Sequence, residues 1–172
     1  GFTLGDLQYP KDIFMKWSVE EKEAIGIYEV VYNNSNFKDE QWYINTNQSF
    51  AFADGTVTAS YGTATAKAHA DRNGTDEDGV ELNPVVVIEG LKTTLIRTLK
   101  QQVAGILSNT DWYITRNAEK STAIPSAIST HRDAVRTKQA QMETAITNAS
   151  DTPVLETLYT YTTDSDGVQS RP

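Results

Sequence analysis

The side chains of this 172-residue sequence that could do chemistry are few and scattered. Nucleophilic catalysis by a serine or threonine needs a histidine base and an acid that orients it. His131 lies between Ser129 and Asp133. Residues two apart on a helix point in different directions, so a surface histidine is the better reading. The other histidine, His69, sits in a polar stretch. Glycoside hydrolysis needs paired carboxylates. Asp111 and Glu119 flank the aromatic pair Trp112-Tyr113, but Asp111 with Thr110 reads as turn and capping chemistry, and Glu119 beside Lys120 as an exposed pair. Asp71, Asn73 and Thr75 open like a calcium loop, yet position six is Asp76 instead of glycine and position twelve is Leu82 instead of glutamate. No glycine-rich phosphate loop is present. The chain has no cysteine, which excludes disulfides, thiolate metal sites and cysteine nucleophiles. The expectation is a non-enzymatic chain with no catalytic residues, no metal and no cofactor.

What remains is contact chemistry. Trp112 and Tyr113 could stack on a sugar or a base, but the net charge is −8 and no run of lysine or arginine surrounds them. A phosphate-binding surface would have to be built against that field, so no nucleic-acid partner is expected. An aromatic pair following a helix more often plugs the open end of a hairpin. Arg116, Arg132 and Arg136 can reach acids on a neighbouring helix, a structural role. The protein-binding set expected from the sequence is Trp112, Tyr113, Arg116, Ile128, Arg132 and Val135.

The elements that would position these residues are legible in the hydrophobic pattern. Leu91, Leu95, Leu99, Val103 and Leu107 recur every four residues, joined by Ile88, Ile96 and Ile106, which predicts an amphipathic helix. Ile128, Val135 and Met142 at heptad spacing, widened by Ala127, Ala134 and Ile146, predict a return helix over 126–148, with Pro125 at its start. An aromatic turn is expected between them. Two such stripes can cover each other as an antiparallel hairpin and leave apolar surface for a third element or another subunit.

Upstream, Phe2-Thr3-Leu4 reads as a short strand before a Gly5-Asp6 turn, and Ile13-Phe14-Met15 with Trp17 supplies an apolar cluster. Ser18 with Glu21 predicts a capping box opening a short helix to Ile25, stopped by Gly26. Strands are expected over 27–32, 41–45, 49–53 and 56–61, arranged as a meander, with Asp54-Gly55 as the strongest hairpin signal. The fold class expected is α+β. A small β-rich N-terminal domain (1–62, meander plus one short helix) is joined by a polar linker or exposed loop (63–84) to a C-terminal α-helical hairpin (85–150) and a tail (151–172). No apolar run is long enough to span a bilayer, so no membrane partner is expected and the chain reads as soluble. Gly1 followed at once by Phe2, and the abrupt finish at Arg171-Pro172, suggest that natural sequence continues beyond both ends.

Two stretches carry a family resemblance. Leu107-Ser108-Asn109-Thr110-Asp111-Trp112-Tyr113 is followed by Arg116, Ala118-Glu119, Ile124-Pro125 and His131-Arg132-Asp133-Ala134-Val135-Arg136. This run resembles the C-terminal region of bacteriophage tail-fibre assembly proteins, in which a helix leads into a T-D-W step and a second helix carries Y-R-x-x-L-R. Here His131 replaces the aromatic and Val135 the leucine. The opening, Leu7-Gln8-Tyr9-Pro10, Trp17-Ser18, Glu20-Glu21 and Ala24-Ile25-Gly26-Ile27, is similar to the start of phage and prophage proteins encoded beside tail-fibre genes. The resemblance spans residues 7–30 and 91–136. It implies a tail-fibre assembly chaperone or accessory protein whose partner is a tail-fibre or other tail protein. It places the chain in the cytoplasm of the infected host or in the virion tail, and it brings no catalytic residues. Two alternatives stand beside it: a structural tail component that forms a homo-oligomer through the helices, and a receptor- or carbohydrate-binding domain. The last would need exposed aromatics such as Tyr43, Phe50 and Phe52.

Overall fold

The computed structural model describes residues 1–170. The chain is a mixed α+β protein, 40% helical and 21% strand. It divides into two compact units, the first Gly1–Thr65 and the second from Ala66 onward.

The first unit opens with β1 (Phe2–Leu4) and β2 (Leu7–Tyr9), an antiparallel hairpin whose turn places Gly5 at φ 59°. Phe2 lies against Tyr9 and Phe14, at ring-centroid distances of 5.7 and 5.2 Å. These rings help to cover α1 (Ile13–Lys16), whose Ile13 is buried. The expected capping box is present at α2 (Val19–Glu23). Glu21 N–H donates to Ser18 Oγ at 3.2 Å, and Ser18 N–H donates to Glu21 Oε2 at 2.9 Å. Two closing bonds, Gly26 N–H to Glu23 O and Ile27 N–H to Lys22 O, both 2.9 Å, end the helix. They require Gly26 at φ 83° and form the Schellman pattern.

The strands that follow are β3 (Val30–Asn33), β4 (Tyr43–Ile44), β5 (Gln48–Ala53), β6 (Thr56–Tyr61) and β7 (Thr65–Ala66), the last spanning the boundary between units. Asp54 and Gly55, at φ 51° and 75°, make the β5–β6 turn that the sequence signals. The expected meander is not formed. The central sheet has the order β3-β6-β5, and β3 runs parallel to β6, pairing Val30 with Val57 and Tyr32 with Ala59. Alternating apolar residues set which face a side chain occupies, but they do not distinguish a parallel from an antiparallel neighbour. The expected strand over 27–32 also starts late, at Val30, and the Tyr28 ring ahead of it packs on Phe52 at a centroid distance of 4.6 Å.

In the second unit β8 (Arg72–Asn73) pairs antiparallel with β9 (Val87–Ile88). Residues read as polar linker thus hold the entry to the long helix α3 (Leu91–Ser108). Gly90, its N-cap, has no side chain to offer, and Asp71 substitutes. Asp71 Oδ1 accepts from Gly90 N–H and from Thr93 Oγ1, both at 2.7 Å. The Gly90 N–H bond, then the Thr93 hydroxyl, with a smaller contribution from Arg97, hold the Asp71 carboxyl below its usual pKa.

After α3 come α4 (Asp111–Lys120), α5 (Ser126–Asn148) and α6 (Thr152–Tyr159). The two long helices match the expected segments to within about a residue, and they are antiparallel. Lys92, in the first turn of α3, donates to Thr147 O near the end of α5, while Arg132 near the start of α5 reaches Leu107 O at the end of α3. Leu99, Val103 and Ile146 are buried between them. The tail is more ordered than expected. Asp151 caps α6 by accepting from Val154 N–H at 2.9 Å, and Pro153 sits in the first turn. Leu155 is fully buried, and Thr152 Oγ1 donates to Lys67 O at 2.6 Å. A small hairpin of β10 (Thr162–Thr163) and β11 (Gln169–Ser170) follows, with Asp164 and Gly167 forming its turn.

Candidate protein-binding site

The expected aromatic turn is a helix. Only Asn109 and Thr110 separate α3 from α4, and Trp112-Tyr113 fall in the first turn of α4. The reason is local. From Ser108 to Ile124 the sequence has neither glycine nor proline, Asp111 suits the positive helix end, and Lys120 suits the negative one. The helix stops without glycine: Ser121 takes φ 51°, its N–H donates to Asn117 O, and Asn117 Nδ2 donates to Thr122 O.

Trp112 is 50% exposed, so it does not plug the end of the hairpin. Its ring lies 3.8 Å from that of half-buried Tyr113, and the Arg116 guanidinium, one turn on, sits 5.6 Å from its centroid. This holds a flat aromatic surface in one orientation.

Arg132 holds the platform in place. The side chain is buried, and it donates from Nη1 to Leu107 O at 2.9 Å and to Thr110 Oγ1 at 2.6 Å. From Nη2 it donates to Asp111 Oδ1 at 2.8 Å. One planar fork therefore joins the last turn of α3 to the start of α4. Thr110 Oγ1 also donates to Leu107 O, which makes the step from α3 to α4 a closed network. The buried Nε of Arg132 has no acceptor. Of the expected contact residues, Arg132 thus belongs to the scaffold and is not free for a partner.

Ile128 and Val135 are half-buried, while Ile106 and Ile114 are 46% and 41% exposed. Beside Arg132 lies a cleft of about 200 Å³ lined by Ile114, Ile124, Ser129, Arg132, Asp133 and Arg136. Arg136 pairs with Asp133 on its own helix at 3.6 Å, both well exposed, so the pair is weak and the guanidinium is free to exchange partners. Ile114, Ile124 and Arg136 were absent from the expected contact set. Their placement could be read only once residues 111–120 were known to be helical.

Among the described residues no three histidine, aspartate or glutamate side chains gather as metal ligands, and no helix is long and apolar enough to cross a membrane. No family model matches the chain, and no curated protein and no solved structure matches it either.

Proposed function

We propose that this chain is a non-enzymatic bacteriophage tail-module protein: a tail-fibre assembly chaperone or accessory protein that binds another tail protein through its helical hairpin. In this reading a β-rich N-terminal domain precedes a polar linker and the hairpin carries the contact. The protein works in the cytoplasm of the infected host or stays in the virion tail. The observation that carries it is the exposed Trp112 on α4, flanked by Tyr113 and Arg116 in a helix whose start Arg132 fastens through Asp111. A rigid, half-exposed tryptophan is the kind of residue that dominates binding energy at protein interfaces. The sequence resemblance supplies the phage setting.

Co-expression with the fibre protein encoded beside it tests the reading. The fibre is expected to fold as a trimer with the wild-type chain and to fail with Trp112→Ala. Normal fibre trimers in the absence of this chain would remove the chaperone role. The runner-up is a structural tail component oligomerising through the helices, favoured by the incomplete burial of Ile128, Val135 and Met142. A stable trimer of the purified protein would select it.

A further inference from the structure

The cleft beside Arg132 has a lining of two kinds. Ile114 and Ile124 are apolar, while Ser129, Arg132, Asp133 and Arg136 are polar, and all six belong to the second unit. Two guanidinium groups stand there against the single carboxylate of Asp133, in a chain of net charge −8. Arg132 is the only charged side chain buried among the described residues. Of the five N–H donors on an arginine, Leu107 O, Thr110 Oγ1 and Asp111 Oδ1 take three, and the buried Nε–H has no acceptor. Buried charge is normally fully hydrogen-bonded, so its positive charge is under-compensated. Arg136 is held only loosely by Asp133, at 3.6 Å, and can be taken by another carboxylate.

We propose that this cleft receives the C-terminal carboxylate of a partner chain whose last residue is aliphatic. Size narrows the guest. Small-molecule pockets run from about 300 to 1,000 Å³, whereas about 200 Å³ is the space of roughly seven waters, enough for one amino-acid residue. Chemistry narrows it further, because one residue must offer an apolar group to Ile114 and Ile124 and an anion to the guanidinium pair. Phosphate has no apolar part, and its second charge would meet Asp133. An aspartate or glutamate side chain spends its one arm on the carboxylate and leaves the isoleucines bare. An aliphatic last residue carries both groups on one Cα. Its carboxylate displaces Asp133 and takes the Arg136 fork in two bonds, and Ser129 Oγ donates to the same group. Arg132, fixed by its three bonds, stays in place and adds its charge from the wall. The inference deepens the reading of the helical unit as a protein-binding one and rests on it, the guest being the C-terminal end of that partner.

Titration of the whole nitrogen-15-labelled chain with acetyl-glycyl-glycyl-leucine, up to about 10 mM, tests this by nuclear magnetic resonance. The expected result is saturable shifts at the amides of Ile114, Ser129 and Asp133, with millimolar or tighter dissociation. The same peptide ending in an amide should bind at least about tenfold more weakly. So should acetyl-glycyl-glutamic acid amide, whose only carboxylate is on the side chain. Arg136→Gln should weaken the leucine peptide at least about tenfold, whereas Asp133→Asn should tighten it about threefold or more by removing the competitor for Arg136. Were the pair merely structural, Asp133→Asn would leave binding unchanged or weaken it, and that result overturns the proposal. No shift with any peptide, equal binding of either amide, or equal binding of inorganic phosphate overturns it too. Trp112→Ala should leave peptide binding intact whatever it does to capture of a tail protein, so the two readings fail separately.

Discussion

Arg132 Nη2 lies 2.8 Å from Asp111 Oδ1 although twenty-one positions separate the two residues in sequence, and their exposures are very unequal. The arginine side chain is 7% exposed and the aspartate 59%. The arginine is thus the structural member of the pair, and it makes two further bonds, to Leu107 O at the end of α3 and to Thr110 Oγ1 just before α4.

The first prediction follows from that asymmetry. Arg132→Met removes three charge-assisted bonds that tie α5 to Leu107, Thr110 and Asp111, for a loss of about 2–3 kcal/mol in urea unfolding. Arg132→Lys keeps the charge but cannot span Leu107, Thr110 and Asp111 at once, and it should recover little of that loss. Asp111→Asn, at the exposed end, should cost less than about 1 kcal/mol. Equal effects at both ends would show that the pair, not the fork on α3, holds the step.

A second prediction separates binding from stability. Leu99 is buried in the α3–α5 contact, so Leu99→Ala should destabilise by about 2–5 kcal/mol. Trp112→Ala, at a half-exposed site, should leave the melting temperature nearly unchanged. It should weaken capture of the tail protein by about 2 kcal/mol or more in titration calorimetry. A large fall in melting temperature on removing Trp112 would reassign it to the core.

Asp71 offers a test by pH. Its carboxyl is held below the usual value, first by the Gly90 N–H, then by the Thr93 hydroxyl. A depressed folded-state pKa contributes stability that is fully present above the unfolded value of about 3.9 and is lost as pH falls through the folded value. Wild type should therefore melt above Asp71→Ala at pH 7, and the gap should close as the pH drops below about 4. A gap unchanged down to pH 2 would mean that the cap acts through shape alone.

The β5–β6 turn gives a fourth. Gly55 at φ 75° and Asp54 at φ 51° both need the left-handed region. Asp54→Asn should be tolerated, since asparagine favours that conformation, whereas Gly55→Val should cost more than about 1 kcal/mol and speed hydrogen exchange across β5 and β6. Unchanged protection in Gly55→Val would contradict the turn type.

Local signals in the sequence carried a good part of this protein. The Ser18–Glu21 capping box, the Gly26 stop, the Asp54-Gly55 turn and the four-residue recurrence from Leu91 to Leu107 each depend on residues within one or two turns of each other. The same holds for the return helix at Ser126–Asn148, which begins at its proline. Where the structure departs from the local pattern, the deciding interaction is distant or competing. Asn109-Thr110 before Trp112-Tyr113 is a turn signal, but the glycine- and proline-free run that follows is helix-compatible and prevails. The parallel placement of β3 beside β6 brings together strands that are far apart in the chain.

What the sequence alone determined is therefore where the helices and the hairpin turn lie, because periodicity, caps and positive-φ residues act over short range. Tertiary structure decided which charged and aromatic side chains are free. Arg132, chosen as a contact, is consumed by Leu107, Thr110 and Asp111, while Trp112, Phe50 and Phe52 remain in water. Burial depends on what arrives from elsewhere in the chain, and no local pattern encodes it.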